Sequence, residues 1–294
     1  MSFVNYYELG QLDKALSLFT KGNDDICLCK AFGNACENRY LNVARWLLAI
    51  NPDINISAKH EYIFRFACQH GHLDVAQWLL TVKPDINIDA EHEFAFREAC
   101  ENGHLDVAQW LLSVKPHINI SIEQDYAFRY ACQYGHLDVA KWLLSVKPDI
   151  NISAEYDYSF RYACFQGQLE VAQWLLCVKP DINIYTWDDF AFCKACEKGH
   201  LDVAQWLLSV KPDINISAQN EHAFRLACQY GHLNVAQWLF SVNPDINISA
   251  ENEHAFCWAC ENDRLDIVQW LKTLNPKKYD VIIENNNIIN WHIN

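Results

Sequence analysis

The feature that most constrains this chain is a period of 32 residues held without slippage. Tryptophan recurs at Trp46, Trp78, Trp110, Trp142, Trp174, Trp206, Trp238 and Trp270. Cys36, Cys68, Cys100, Cys132, Cys164, Cys196, Cys228 and Cys260 keep the same step, and so do all eight prolines, Pro52 through Pro276. The stretch GHLDVAQWLLSVKPDINI, from Gly199 to Ile216, returns at Gly103 to Ile120 with one change, His117 for Asp. Units this short cannot each bury an apolar face, so copies in register must stack and share one core. That outweighs the two-domain prior suggested by a length of 294 residues.

Within one unit, LDVAQWLLTV is apolar at Leu73, Val75, Ala76, Trp78, Leu79, Leu80 and Val82. Asp74, Gln77 and Thr81 form a single narrow polar stripe, which predicts an α-helix buried among neighbours. Asp74 suits the helix N-terminus. Pro84 ends the helix, because it pushes Lys83 out of the α region. The preceding SAKHEYIFRFACQHG predicts another helix, with Phe64, Ala67 and Cys68 on its core face. An acid stands four residues before an arginine at Glu61–Arg65, Glu93–Arg97, Asp125–Arg129, Asp157–Arg161 and Glu221–Arg225. The spacing predicts helical ion pairs of about 0.2–0.5 kcal/mol each, with the helix already begun at Glu61. Ser57 is then the expected N-cap and Gly71 the expected reversal. Each unit reads as helix, tight turn, helix and the connector KPDINIS, an all-α chain. At roughly 8–10 Å between helix axes, eight units would make a curved rod on the order of 80 Å long.

The motif Ala-Cys-x-x-Gly-His-Leu-Asp-Val-Ala-x-Trp-Leu-Leu followed by Asp-Ile-Asn resembles the ankyrin repeat, whose pattern reads Ala-Ala-x-x-Gly-His-Leu-Glu-Val-Val-x-Leu-Leu-Leu and Ala-Asp-Val-Asn. The resemblance implies an ankyrin-like solenoid. It divides the chain into a degenerate N-terminal capping repeat at 1–26, eight repeats at 27–276 and a C-terminal cap or tail at 277–294. The family's Thr-Pro-Leu-His opening is replaced by Tyr62-Ile63-Phe64-Arg65, the unit is one residue short, and the hairpin glycine is missing. Little or no β-hairpin is therefore expected. This lean version is similar to ankyrin arrays encoded by large DNA viruses of protists.

Cys193-x-x-Cys196 and Cys257-x-x-Cys260 have a zinc-like spacing, but they lie two units apart. That is roughly 20 Å along the stack, too far to share one ion. Their second members belong to the periodic row, where a small buried thiol suffices, so core packing is the expected role. His72, His104, His136, His200 and His232 come one per unit, which points to a turn or inter-repeat hydrogen bond rather than a metal site. The sequons at Asn55, Asn119, Asn151, Asn215 and Asn247 are read as accidents of the period; the resemblance permits asparaginyl hydroxylation at these positions without predicting it. The tryptophan row is expected in the core rather than as a base-stacking platform, which would need a basic groove. Gly-rich phosphate loops and local nucleophile signatures are absent, so no cofactor, metal or catalytic residue is assigned and the chain reads as non-enzymatic.

A net charge of −14 disfavours nucleic acid and fits a protein partner with a basic surface. No apolar run is long enough to span a bilayer and the N-terminus lacks the pattern of a signal peptide, so a cytoplasmic protein without membrane contact is expected. Recognition in a repeat array lies where copies differ. The two residues between the periodic cysteine and the turn vary, and in ankyrin-like stacking they line the concave side. The most divergent unit reads Tyr185-Thr186-Trp187-Asp188-Asp189-Phe190, with Cys193 in place of the arginine. Tyr156, Phe165, Tyr185, Trp187, Asp188, Asp189 and Lys198 are the candidate partner-binding residues, because aromatic rings beside acids make interface anchors. The expected function is a monomeric protein-binding scaffold. The alternatives are a self-assembling structural rod and an adaptor for a ubiquitin ligase or other effector.

Overall fold

The computed structural model describes residues 25–184, 186–284 and 287–294, with side chains from residue 28 onward except at 186–188. The expected N-terminal cap therefore lies outside the described residues, apart from its last two. Sixteen helices alternate between two kinds among the described residues. The first helices of the repeats are Asp25–Glu37, Ala58–Gln69, Ala90–Glu101, Ile122–Gln133, Ala154–Phe165, Thr186–Lys198, Ala218–Tyr230 and Ala250–Glu261. The second helices are Leu41–Ile50, Leu73–Val82, Leu105–Val114, Leu137–Val146, Leu169–Val178, Leu201–Val210, Leu233–Val242 and Leu265–Leu274. Among the described residues, the connectors contain no strand. The fold class is all-α with stacked helix-turn-helix repeats, as the periodicity predicted.

The chain divides into two compact units, Met1–Ala131 with Asp138–Ile150, and Cys132–Leu137 with Asn151–Asn294. Both are built in the same way. Neighbouring first helices stack on each other, and each packs on the second helix of its own repeat. Phe64, Ala67, Cys68, Val75, Ala76 and Leu79 have no exposed surface, and their equivalents repeat down the chain. Within each unit, indoles reach back to the phenylalanine of the preceding repeat. Phe64–Trp110 and Phe96–Trp142 in the first unit, and Phe160–Trp206 and Phe192–Trp238 in the second, all have ring centroids 6.2 Å apart. The second helices are less enclosed than their sequence suggests. Trp78 is only partly buried and Val82 keeps 41% of its surface exposed. The side of the helix away from the first helices is left open.

The reversal into the second helix follows the sequence. Gly71 has φ +71°, and a Cβ there would meet His104 Nδ1 of the next repeat at 2.5 Å. The left-handed turn and the imidazole both favour glycine, although Arg39 (φ 60°) and Asp263 (φ 55°) take the same turn. In the second unit, Gln168 takes the histidine's place over Gly135. His200 hydrogen-bonds the backbone at Phe165, and His232 the backbone at Glu197. His200 and His232 therefore have the inter-repeat role expected of them. Lys83 (φ −137°, ψ 84°) has left the helical region, as Pro84 requires.

The start of the first helices departs from expectation. Lys59, His60 and Glu61 all have positive φ (53°, 55° and 62°), one left-handed turn before the right-handed helix begins. The same triplet recurs at residues 91–93, 123–125, 155–157, 219–221 and 251–253. Left-handed L-residues cost roughly 1–2 kcal/mol each, so the turn must be held from outside. The arginine does this. Arg65 donates from Nε to the His60 carbonyl at 2.8 Å and from a terminal nitrogen to the Lys59 carbonyl at 3.2 Å. Arg161 makes the same pair of bonds to Tyr156 and Glu155 at 2.7 and 2.9 Å and is only 2% exposed.

At Glu61, Glu93 and Glu221 a bond to the next connector stands in place of the expected helical ion pair. Reversing the handedness turns Glu61 away from Arg65 and toward the next connector, where its Oε1 accepts the Asn87 N–H at 3.4 Å. Glu93 and Glu221 reach Asn119 and Asn247 in the same way. The serine is not a cap either. Ser57 makes no side-chain capping bond. Ser121 and Ser153 instead donate to the carboxylates of Asp125 and Asp157, at 2.5 and 2.6 Å.

The tail forms an antiparallel hairpin of β1 (Tyr279–Glu284) and β2 (Asn287–Ile293), with an irregularity between Ile282 and Ile283. Tyr279 stacks on Phe256 at 4.0 Å and Trp291 meets the same ring edge-on at 6.0 Å. Trp291 thus covers the phenylalanine that the indole of a following repeat covers elsewhere.

Candidate functional site

The structure brings together some of the predicted partner-binding residues and separates others. Phe165 and Lys198 meet, with the ammonium 5.0 Å from the ring centroid. Around them gather Tyr162, edge-on to Phe165 at 5.8 Å, and Phe190, 6.0 Å from Tyr162. Tyr158 stacks on Tyr162 at 4.0 Å and donates its hydroxyl to Gln133 at 2.6 Å. Lys194 pairs with Glu197 and lies over Phe190.

Tyr156 is 69% exposed but belongs to the left-handed turn at the other end of the helix. Nine positions along the chain separate it from Phe165, about 13 Å at roughly 1.5 Å per residue. Asp189 is buried with φ +59°, in the register of Glu61 and Glu221. It belongs to the framework of the turn rather than to an exposed anchor, because the positive φ directs it inward. Tyr185 lies outside the described residues, as do the side chains of Trp187 and Asp188.

Sequence reasoning passed over the aromatic rows on the first helices. Tyr126 stacks on Tyr130 at 4.0 Å and Phe66 on His70 at 3.9 Å. Three guanidinium groups lie over a ring of the next repeat and tie the rows together. Arg65 lies 4.7 Å from Phe94, Arg97 4.6 Å from Tyr126, and Arg161 5.1 Å from Phe190. The signal was present as aromatic residues four apart, Tyr62/Phe66, Tyr126/Tyr130 and Tyr158/Tyr162, hidden behind the stronger Phe-x-x-Ala-Cys core pattern. Between the rings stand acceptors. Glu101 takes the Tyr126 hydroxyl at 2.5 Å, and Glu98 takes the Gln69 amide at 2.8 Å. Burial, with Glu101 nearby, pushes the Glu98 carboxyl above the usual carboxylate range. Ring faces beside partly desolvated carboxylates favour a cationic group.

The thiols have no such chemistry. Burial pushes Cys36 up to about 12, with Glu37 adding to it. Burial likewise raises Cys68, Cys100 and Cys228, while Cys177 and Cys29 are exposed. A thiolate, the form that binds metals and attacks electrophiles, is disfavoured in the buried row. Among the described residues, no three His, Cys, Asp or Glu side chains come together as a metal site, and no helix is long and apolar enough to cross a membrane.

A search of the curated proteins finds no match to this sequence. Among solved structures, the crystal structure of the human ASB11 ankyrin repeat domain aligns at 18% identity and a TM-score of 0.47, over 61% of this chain and 83% of that one. A family model for ankyrin repeats (3 copies) matches residues 32–123, 64–156, 99–186, 160–250 and 192–285. Those matches run through nearly the whole repeat region, where the recurring turn glycine and inter-repeat histidine take structural roles: the chain belongs to the ankyrin-repeat family.

Proposed function

We propose that this chain is a non-enzymatic scaffold that binds a protein partner with a basic surface on the concave face lined by its first helices. Ankyrin repeats are generally protein–protein interaction modules. The observation that carries the finer reading is the alternation, on the first helices, of stacked aromatic rings with carboxylates such as Glu98 and Glu101. Tyr134 and Tyr230, at the variable positions before the turn, are exposed. The recognition patch centres on Phe165 and Lys198 and takes in Tyr156, Tyr185, Trp187 and Asp188, with Asp189 holding the turn beneath.

The experiment is affinity capture from the native host, followed by cross-linking, with the wild-type chain and with Phe165→Ala and Trp187→Ala. Loss of an anchor should weaken capture by roughly thirtyfold or more, the scale of a 2 kcal/mol hot spot. Unchanged capture by variants with intact unfolding midpoints would remove the patch. Exposed Ile282, Ile283, Ile289 and Ile293 on the hairpin favour self-association as the second reading. Sedimentation at rising concentration separates it from a discrete monomer.

A further inference from the structure

A polar niche recurs where the left-handed turn of one repeat faces the connector of the next. In the first unit it is bounded by Ser57, Glu61, Asn87 and Glu91 and encloses about 510 Å³. In the second it is bounded by Ser217, Glu221, Asn247 and Glu251 and encloses about 330 Å³. Glu61 and Glu221 are only 8% and 7% exposed, yet each uses one oxygen alone. Oε1 accepts a backbone N–H, from Asn87 at 3.4 Å and from Asn247 at 3.2 Å. Oε2 has no partner in either niche. A buried carboxylate oxygen without a donor is unfavourable, and a donor delivered to it is correspondingly favourable.

The last repeat shows what fits. Its serine and glutamate in the same register are Ser249 and Glu253. There Lys278 donates to Ser249 Oγ at 3.1 Å and pairs with Glu253 Oε1, while the Tyr279 hydroxyl donates to Oε2 at 2.5 Å. An ammonium supplies three donors in a compact group, which suits a hydroxyl and a carboxylate side by side. A hard divalent cation would need several more oxygen ligands than one such carboxylate and hydroxyl provide.

We propose that the Ser57–Glu61 and Ser217–Glu221 niches bind lysine side chains of a partner, filled from outside in the manner that Lys278 fills Ser249–Glu253 from within. This rests on the protein-binding reading and narrows it to a partner segment carrying lysines. The probe is the acetylated, amidated pentapeptide Pro-Lys-Lys-Tyr-Asp, the sequence of residues 276–280, titrated calorimetrically into the full chain. Two sites per chain are expected. Glu61→Gln with Glu221→Gln should weaken binding about tenfold or more, the effect of losing one charge-assisted hydrogen bond. Asp149→Asn with Asp181→Asn, the same change of charge at exposed aspartates, should leave it unaltered, and norleucine in place of both peptide lysines should abolish it. Lys278→Met, which keeps both glutamates and so guards against a misfolded Gln variant, should add a third site. Equal binding by the Glu→Gln chain, binding of the norleucine peptide, or an unchanged site count in Lys278→Met overturns the proposal. A partner captured equally by the wild-type and Glu→Gln chains overturns the niches alone and leaves the protein-binding reading standing.

Discussion

Substituting Gln124 by glycine and by alanine in parallel reads the handedness of the recurring turn. Gln124 has φ 58° and ψ 52°, its side chain is exposed, and its carbonyl accepts Arg129 Nε at 2.8 Å. Both substitutions remove the same side chain, so the contrast between them isolates the backbone. In a right-handed helix, glycine is worse than alanine by about 1 kcal/mol. In the left-handed region, alanine's Cβ costs about 1–2 kcal/mol, which glycine avoids, against a glycine backbone-freedom cost of about 0.5–1 kcal/mol. Glycine should therefore be the more stable of the two by about 0.5–1 kcal/mol. The two geometries predict opposite signs, separated by roughly 1.5–2 kcal/mol. In urea, the glycine variant should unfold at a midpoint roughly 0.25–0.5 M above the alanine variant, taking a slope of about 2 kcal/mol per M. Removing the guanidinium with Arg129→Met should cost about 3 kcal/mol, the worth of its bonds to the Gln124 and Glu123 carbonyls at 2.8 and 2.9 Å. A midpoint higher for alanine than for glycine would refute the left-handed turn, and with it the account of why Glu61 and its equivalents face the next connector.

Burial, the largest cause, lowers the His200 and His232 imidazoles below their ordinary value of 6.5. A base depressed on folding leaves stability intact above about pH 6.5. Stability is then lost as pH falls toward the folded pKa, because the unfolded chain takes up the proton first. His200→Gln with His232→Gln, copying what Gln168 does naturally, should flatten the fall in unfolding midpoint between about pH 6.5 and 5; an unchanged profile would contradict it. Maleimide labelling of the native chain should modify Cys29 and Cys177 and spare the buried row, including Cys68 and Cys228. Rapid labelling of that row below the unfolding transition would show that the repeats open locally.

The core was legible because it is periodic. Phe64, Ala67, Cys68, Val75, Ala76 and Leu79 sit where helical spacing puts them, and the turn glycine and stop proline act as their backbone chemistry requires. The site was legible only in part. Phe165 and Lys198 stood out as departures from the repeat and do meet, whereas Asp189 looked like a free acid and is buried. The aromatic rows went unread because their rings pack across repeats, and a pattern within one repeat does not show which neighbour a ring meets.

Sequence by itself determined the 32-residue step, the all-α class, the second helices and the small residues of the core, because these depend on spacing along one strand of backbone. Tertiary structure alone decided the handedness of the turn, the partners of Arg65 and Glu61, and the hairpin that sets Trp291 on Phe256. Glu61 meets Asn87 and Glu253 meets Tyr279 across 26 residues of chain. A local rule pairs an acid with an arginine four residues on. A stacked repeat offers the acid a backbone amide and the arginine two carbonyls, and satisfying those buried polar groups outweighs a surface ion pair worth a few tenths of a kcal/mol.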